Sequence, residues 1–297
     1  MSDDSILITG ASGFTGQHAC RHFLKTDLKV TAVVRNTCLE GLRSVQCDLT
    51  DKNAIDRLIK EEQPTYVLHL AGVNAVQTSW ENPVSTLEAN VLSTVYLLDA
   101  IRTTKPSTKV VMVGSALQYD PAKGKPSHPY ALSKTMQSQV ALHLAELYNL
   151  HVVLAKPTNL IGPGNSSGIC ALLTKHIVDM ERNLTSEAFS VSNLQVKRDF
   201  LDVRDVVSAY EKLFVTGERT RTYDLATGRL VALQEVVREL ETLTEVSHFV
   251  VDKKLGENGT VIPMDVSNIK NLGWNPTYSL RQSLEDSLEY YRNLEQA

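Results

Sequence analysis

The sequence predicts an α/β protein: a doubly wound parallel sheet followed by a smaller lobe assembled from discontinuous C-terminal segments. Three observations carry this. Short runs of β-branched and aliphatic residues alternate with longer helix-period segments up to Pro157. Those runs are continuously apolar, as in a sheet covered on both faces. After Pro157 the texture changes to a Gly/Pro/Ser loop, NLIGPGNSSG, and then to short mixed elements.

In order, SILIT (5–9) reads as a strand, 14–26 as a helix, LKVTAVV (28–34) and RSVQC (43–47) as strands, and 51–62 as a helix. TYVLHL (65–70) is a strand, 81–104 one long helix, TKVVMVG (108–114) a strand, 130–149 a helix and HVVLA (151–155) a strand. Beyond the loop, helices are expected near 169–182 and over 199–214, and a charged amphipathic helix closes the chain. Residues 1–160 with about 199–227 then form the sheet domain, and about 161–198 with 228–297 the second lobe.

With 30 Lys and Arg against 34 Asp and Glu, the 297-residue chain carries a formal charge of −4. That balance argues against a nucleic-acid partner. No apolar run reaches the ~18–20 residues that span a bilayer, so no membrane association is expected. The acidic start MSDDSILITG enters a strand at once, unlike a signal peptide, and the expected setting is cytoplasmic. Cys20, Cys38, Cys47 and Cys170 show neither paired nor metal-ligand spacing, so buried reduced thiols and no metal are expected. The sequons at Asn165, Asn183 and Asn258 read as chance.

The first strand runs into TGASGFTG, which spaces Gly10, Gly13 and Gly16 as G-x-x-G-x-x-G. Glycines here permit a tight turn, close approach of backbone to a pyrophosphate, and packing of helix on strand. The helix N-terminus offers N–H groups and a positive dipole end to phosphates. The loop is one residue longer than the Rossmann G-x-G-x-x-G fingerprint, but its place between first strand and first helix points to a dinucleotide. The second strand ends VVRN, with no acid from Leu28 to Cys38 to accept from a ribose 2′-OH. Arg35 can instead pair with a 2′-phosphate, so NADP(H) is preferred over NAD(H). Asp48 in CDLTD either accepts from the adenine amino group or caps the next helix.

VVMVGSALQYD ends a strand in Gly114-Ser115, setting a hydroxyl at the strand's end. PYALSK then places Tyr130 and Lys134 at i, i+4 on one helix face. An ammonium under the phenol is expected to favour its ionised form and lower its pKa toward neutrality.

Together with HLAG (69–72), the helix holding Asn90, KPTNLIGPG, RDFLDVRDVV and LGWNP, these motifs make essentially the whole chain resemble the extended short-chain dehydrogenases/reductases, which act mainly on nucleotide sugars. The resemblance implies that Ser115 and Tyr130 hydrogen-bond the reacting oxygen, that Tyr130 passes the proton and that Lys134 tunes it. It adds Phe14, Leu49, Leu70, Ala71 and Pro157 to the cofactor contacts and Ala116 and Gln118 to those of the substrate. Asn159 and Arg198 fall where family members hold the sugar diphosphate. Lys156 stands where the family usually has Arg. Within the family, GPGNSSG…LTKHI…RDFLDVRDVVSAY is most similar to GDP-4-keto-6-deoxy-D-mannose reductases, and a homodimer through helices 81–104 and 130–149 is implied.

Dehydratases of this family carry an Asp-Glu pair directly after the strand-end Ser or Thr. Here Ala116, Leu117 and Gln118 follow, and a neutral amide exchanges no proton, so dehydration is not expected. Epimerases keep their cofactor bound and usually use NAD, whereas a net reductase draws on NADPH. Arg35 therefore tips the expectation to reduction of the C4 ketone of a 4-keto-6-deoxy nucleotide sugar. A UDP-4-keto-6-deoxy-acetamido sugar, 4-epimerisation and a non-catalytic NADP-binding sensor stand as alternatives. The nucleotide base is left to loops in 165–200 and 228–264.

Overall fold

The computed structural model describes residues 4–36, 39–255 and 263–294; Cys38, the Asn258 sequon and part of the 228–264 region lie outside them. The chain begins β1 (Ser5–Thr9), α1 (Phe14–Phe23), β2 (Lys29–Val34), β3 (Ser44–Gln46), α2 (Lys52–Glu62) and β4 (Tyr66–His69). It continues through α3 (Val76–Glu81), α4 (Pro83–Leu87), a π-helical turn (Glu88–Leu92), α5 (Ser93–Thr104), β5 (Lys109–Val113), α6 (Pro129–Leu147) and β6 (His151–Pro157). Next come β7 (Asn159–Ile161), α7 (Ile169–Glu181), β8 (Phe189–Val191), β9 (Lys197–Arg198), β10 (Phe200–Asp202), α8 (Val203–Thr216) and β11 (Thr222–Leu225). The last elements are β12 (Val231–Ala232), α9 (Leu233–Glu241), β13 (Val250–Asp252), α10 (Ser267–Asn271) and α11 (Leu280–Asn293).

Two compact units result, Met1–Pro157 with Val207–Asp224, and Thr158–Val206 with Leu225–Ala297. The first is built on a seven-stranded parallel sheet of order β3-β2-β1-β4-β5-β6-β11. Ile6 stands opposite Val30 on one side and Tyr66 on the other, and Met112 opposite His69 and Leu154. Ile6, Leu7 and Ile8 are all sealed from solvent, which explains their unbroken apolar run: helices cover both faces. One core gathers Leu7, Ile59, Val67, Leu97, Met112 and Ala141 between sheet and helices. The chain leaves β1 for β2 on one side and returns to β4 on the other. The crevice at this reversal opens at the C-terminal ends of the strands.

The expected single helix over 81–104 runs from Pro83 to Thr104, passing from α4 through the π-helical turn into α5 with helical backbone at each junction. A short helix that was not expected, α3, precedes it. Pro83 lacks an N–H and disfavours helical backbone before it, and Asn82 accordingly sits at φ −134°, ψ 66° between α3 and α4. The π-helical turn then inserts one residue's worth of slack at Asn90. The expected helix over 199–214 also starts late. Phe200–Asp202 first pairs with Asn159–Ile161 in a parallel ladder, so DFLD forms a strand before α8.

The second unit packs Ile161, Leu173, Ile177, Phe200, Val236 and Leu288 into its own core. It is assembled from two chain segments, and three buried carboxylates of the motif RDFLDVRDVV pin them together. Asp199 accepts from Thr227 N, Thr227 Oγ1 and Gly228 N at 2.8–3.0 Å. Asp202 accepts from Ser283 Oγ at 2.6 Å and from Arg204. Asp205 accepts from Thr277 N, Thr277 Oγ1 and Tyr278 N at 2.8–3.0 Å. The acidic motif is therefore a set of staples. Among the described residues, no helix is long and apolar enough to cross a membrane.

Replacing one such staple strands several buried donors at once. Asp205→Ala is expected to lower the free energy of unfolding by about 3 kcal/mol, seen as a lower urea midpoint. An unchanged midpoint would show that the Thr277–Tyr278 segment is held by something else.

Candidate functional site

The glycine loop is a tight turn closed by Gly13 N–H donating to Gly10 O at 3.0 Å. Gly10 adopts φ +67°, and a Cβ there would stand 2.8 Å from Ala71 N, so the turn and the end of β4 meet only through glycine. A Cβ on Gly16 would come within 2.1 Å of Gly10 O, which fixes how closely α1 sits on the turn. Helix α1 begins at Phe14 after Gly13, with no side-chain cap on its first N–H groups and no acidic residue in its first turn. That is an uncluttered positive helix end, fit to receive phosphate. Phe14 itself lies edge-on to His18, with ring centroids 5.6 Å apart.

Arg35, directly after β2, is exposed. Its charge reaches Asp48 after β3. The backbone N–H and hydroxyl of Thr50 hold the Asp48 carboxyl below its ordinary value, and Arg35 adds to the effect. Asp48 turns out not to cap the next helix. Asp51 does, accepting from Asn53 N at 2.9 Å. Asp48 instead closes the turn before it through Thr50. Leu49 packs on the sheet core. Leu70 and Ala71 follow β4, and Ala71 N donates to Thr9 Oγ1 at 3.2 Å.

Ser115 follows β5, and the loop carrying it is tied to β6 by Ala116 N donating to Pro157 O at 3.0 Å. Helix α6 starts at Pro129, capped by His128, whose Nδ1 accepts from Ala131 N at 2.9 Å. Tyr130 and Lys134 project one turn apart from this start. Ser115 Oγ accepts from Leu117 N at 3.1 Å and shares a hydrogen bond with the Tyr130 phenol. Lys134 Nζ donates to Val113 O and to Gln137 Oε1, each at 2.7 Å. Ser115, Tyr130 and Lys134 are only 8%, 6% and 6% exposed, so their charges act with little screening by water.

The expected lowering of Tyr130 by Lys134 is not a property of the protein by itself. Burial raises the phenol above its ordinary value and only the Ser115 hydrogen bond opposes this. Burial also pulls Lys134 down from 10.5 to about 7. The ammonium is turned toward Val113 and Gln137, not onto the phenol.

Gln118 is likewise committed. Its Nε2 donates to Lys134 O at 2.7 Å and meets Ser138 Oγ, in a slot kept open by Gly114, where a Cβ would stand 2.8 Å from that nitrogen. A substrate contact from Gln118 has to come from its amide oxygen. Lys156 pairs with Asp224 at 3.2 Å. In the second unit, Asn159 is exposed, with Nδ2 donating to Asp199 O at 3.0 Å, and Arg198 lies exposed on β9, opposite Val231 of β12. Cys20, Cys47 and Cys170 are free and buried, with thiols raised by burial.

Sequence reasoning missed a buried polar network behind these groups. Thr9 Oγ1 meets His69 Nδ1 at 2.8 Å, and Thr94 Oγ1 meets His69 Nε2 at 3.4 Å. Thr9 already accepts from Ala71, and Thr94 donates to Asn90 O. His69 therefore accepts at Nδ1 and carries its proton on Nε2. Asn90, in the π-helical turn, clamps Val73 N and O at 2.8 and 3.0 Å and donates to Ser133 Oγ at 2.9 Å. The available signal was a run of polar residues (Ser133, Lys134, Gln137, Ser138) on positions of α6 that face the core.

Comparison with known proteins places this geometry. A profile described as the NAD dependent epimerase/dehydratase family matches residues 6–226. The chain is 28% identical to GDP-6-deoxy-D-mannose reductase of Pseudomonas aeruginosa, with 94% of each chain covered. It is 24% identical to UDP-glucose 4-epimerase of Bacillus subtilis, with 95% of each covered. The structure of RMD from Pseudomonas aeruginosa complexed with NADPH superposes with a TM-score of 0.85 at 27% identity, covering 97% of this chain and 99% of that one.

His69 gives the site a testable acid sensitivity. Burial lowers it from 6.5 to about 3, so the unfolded chain binds a proton over that window that the folded protein refuses. The contribution is fully present above pH 6.5 and is lost as pH falls toward 3, at up to about 1.4 kcal/mol per pH unit. His69→Gln should flatten this loss in urea unfolding followed against pH. A slope identical to that of wild type would contradict the assignment.

Proposed function

Because this chain belongs to the NAD dependent epimerase/dehydratase family, whose members compared above are enzymes of nucleotide sugars, we propose that it is a cytoplasmic, NADPH-dependent reductase of the C4 ketone of a 4-keto-6-deoxy nucleotide sugar, with the GDP-mannose derivative as the first candidate. One observation carries the reading: Ser115 is hydrogen-bonded with Tyr130 beside a buried Lys134, and no carboxylate follows Ser115 at positions 116–118.

The turn from Gly10 to Gly16 and the uncapped start of α1 fit the pyrophosphate of a dinucleotide. Exposed Arg35 fits its 2′-phosphate, while Asp48, Leu49, Leu70, Ala71 and Pro157 border the rest. NADPH supplies the hydride when bound. Ser115 and Tyr130 would aim their hydroxyls at the ketone oxygen and stabilise the negative charge that develops there. Donors placed in this way contribute ~3–4 kcal/mol each to lowering the barrier. Tyr130 then gives up its proton, with the Lys134 ammonium offsetting the phenolate charge in a site that holds water off. One Lys134 donor remains beyond those taken by Val113 and Gln137, suited to a ribose hydroxyl. Asn159 and Arg198 are the side chains proposed for the diphosphate, and Ala116 lines the ketone's surroundings. Leu92, Met136 and Leu147, exposed on the π-helical turn and α6, support a homodimer as part of this reading.

The test is a panel of 4-keto-6-deoxy GDP-, UDP- and dTDP-sugars, with NADPH oxidation followed for wild type and Tyr130→Phe. Wild type should turn over at least one member with stoichiometric NADP+ formation. Tyr130→Phe should lose about 10³-fold or more in kcat while still binding NADPH. Interconversion of 4-hydroxy nucleotide sugars at C4 with no net consumption of cofactor would make the protein an epimerase. Near-normal turnover by Tyr130→Phe would remove the proposed proton donor.

A further inference from the structure

We propose that Gln137 is a positioning residue for Lys134: its carboxamide grips the ammonium at the end of β5 and ties it to α5 through Thr94. The inference rests on the reductive reading of the same site and adds to it a residue that does not touch substrate or cofactor.

Gln137 is fully buried, one turn beyond Lys134 on the same helix. Burying a carboxamide is unfavourable unless its polar atoms are matched, and an aliphatic side chain of similar volume would avoid that cost. Here the match is over-determined. An ammonium has donors only, so the atom 2.7 Å from Lys134 Nζ must be the amide oxygen. The amide nitrogen then faces Thr94 Oγ1 at 3.0 Å and Met112 Sδ at 3.5 Å. Thr94 gives its own proton to Asn90 O, which leaves its oxygen to accept. The carboxamide cannot be flipped without setting donor against donor at one end.

The groups facing Lys134 are few. Its own helix contributes Tyr130 and Gln137, β4 contributes the neutral imidazole of His69, and β5 the carbonyl of Val113. Burial is the cause that moves Lys134, down to about 7, and among the described residues no carboxylate counters it. Val113 O and Gln137 Oε1 are therefore what holds the proton on Nζ, and Gln137 is the one of the two that a mutation can remove.

The test compares wild type, Lys134→Met, Gln137→Met and Gln137→Glu. Urea midpoints are followed from about pH 5 to 10, and Lys134→Met serves as the baseline that lacks the titrating amine. A depressed lysine contributes stability that sets in as pH rises through its folded value, about 7 in wild type, and is complete above 10.5. The onset should move down by about one pH unit in Gln137→Met, the size of one hydrogen bond to a charged group, and up by at least as much in Gln137→Glu. The alkaline limb of kcat for ketone reduction should move in the same two directions, with KM changed less than kcat. Onsets that coincide in the three proteins that retain Lys134 would overturn the positioning role. Absence of turnover by wild type would count against the reductive reading, while the urea titration would still decide for or against Gln137. If Gln137→Met does not fold, the upward shift in Gln137→Glu carries the same decision.

Discussion

A single ammonium, Lys134, sets the terms for the interior of the first unit. It lies at the C-terminal end of the parallel sheet, almost without access to water, and burial draws it toward discharge. A carboxylate beside it would hold the charge on Nζ. The chain instead surrounds it with neutral acceptors, Val113 O and Gln137 Oε1. Each of these needs partners of its own. That requirement runs outward through Thr94 to the π-helical turn and through His69 to Thr9, beside the glycine turn. The strand end, the π-helical turn and the glycine turn are thereby held in one hydrogen-bonded frame.

The same frame explains why Gln118 is where it is. The sequence raised it, with Ala116 and Leu117, as a neutral stretch after Ser115 where dehydratases of the resembled family carry an acidic pair. In the fold, its amide nitrogen fastens the loop after β5 to the backbone of α6 at Lys134. A neutral side chain here also keeps a negative charge away from the buried ammonium of Lys134.

Much of this was legible in the residues. The unbroken apolar strands, the glycine spacing, Ser115 at a strand end and Tyr130 four residues before Lys134 all depend on local pattern, and the structure sets them along the C-terminal edge of one sheet. What local pattern could not show was long-range pairing. His69 lies inside an apolar strand and meets Thr94, 25 residues away. Asp199, Asp202 and Asp205 look like a solvated acidic run, yet each reaches a donor in the C-terminal segment. The helix over 81–104 was legible in its residue types and starts at Pro83, whereas the π-helical turn within it left no mark in the local pattern. Helix α6 gave a weak amphipathic signal because its buried face is itself polar.

The central claim is that the site moves one hydride and one proton at C4 and leaves the neighbouring carbons alone. It is tested most directly by running the reaction with NADPH deuterated on the transferred position and assigning the product sugar by NMR. The account predicts one deuterium at C4 for each NADP+ formed, with the C5 hydrogen and the C6 methyl unchanged. NADP+ formed with no deuterium at C4, or inversion at C4 of a 4-hydroxy nucleotide sugar with no net change in cofactor, would contradict it.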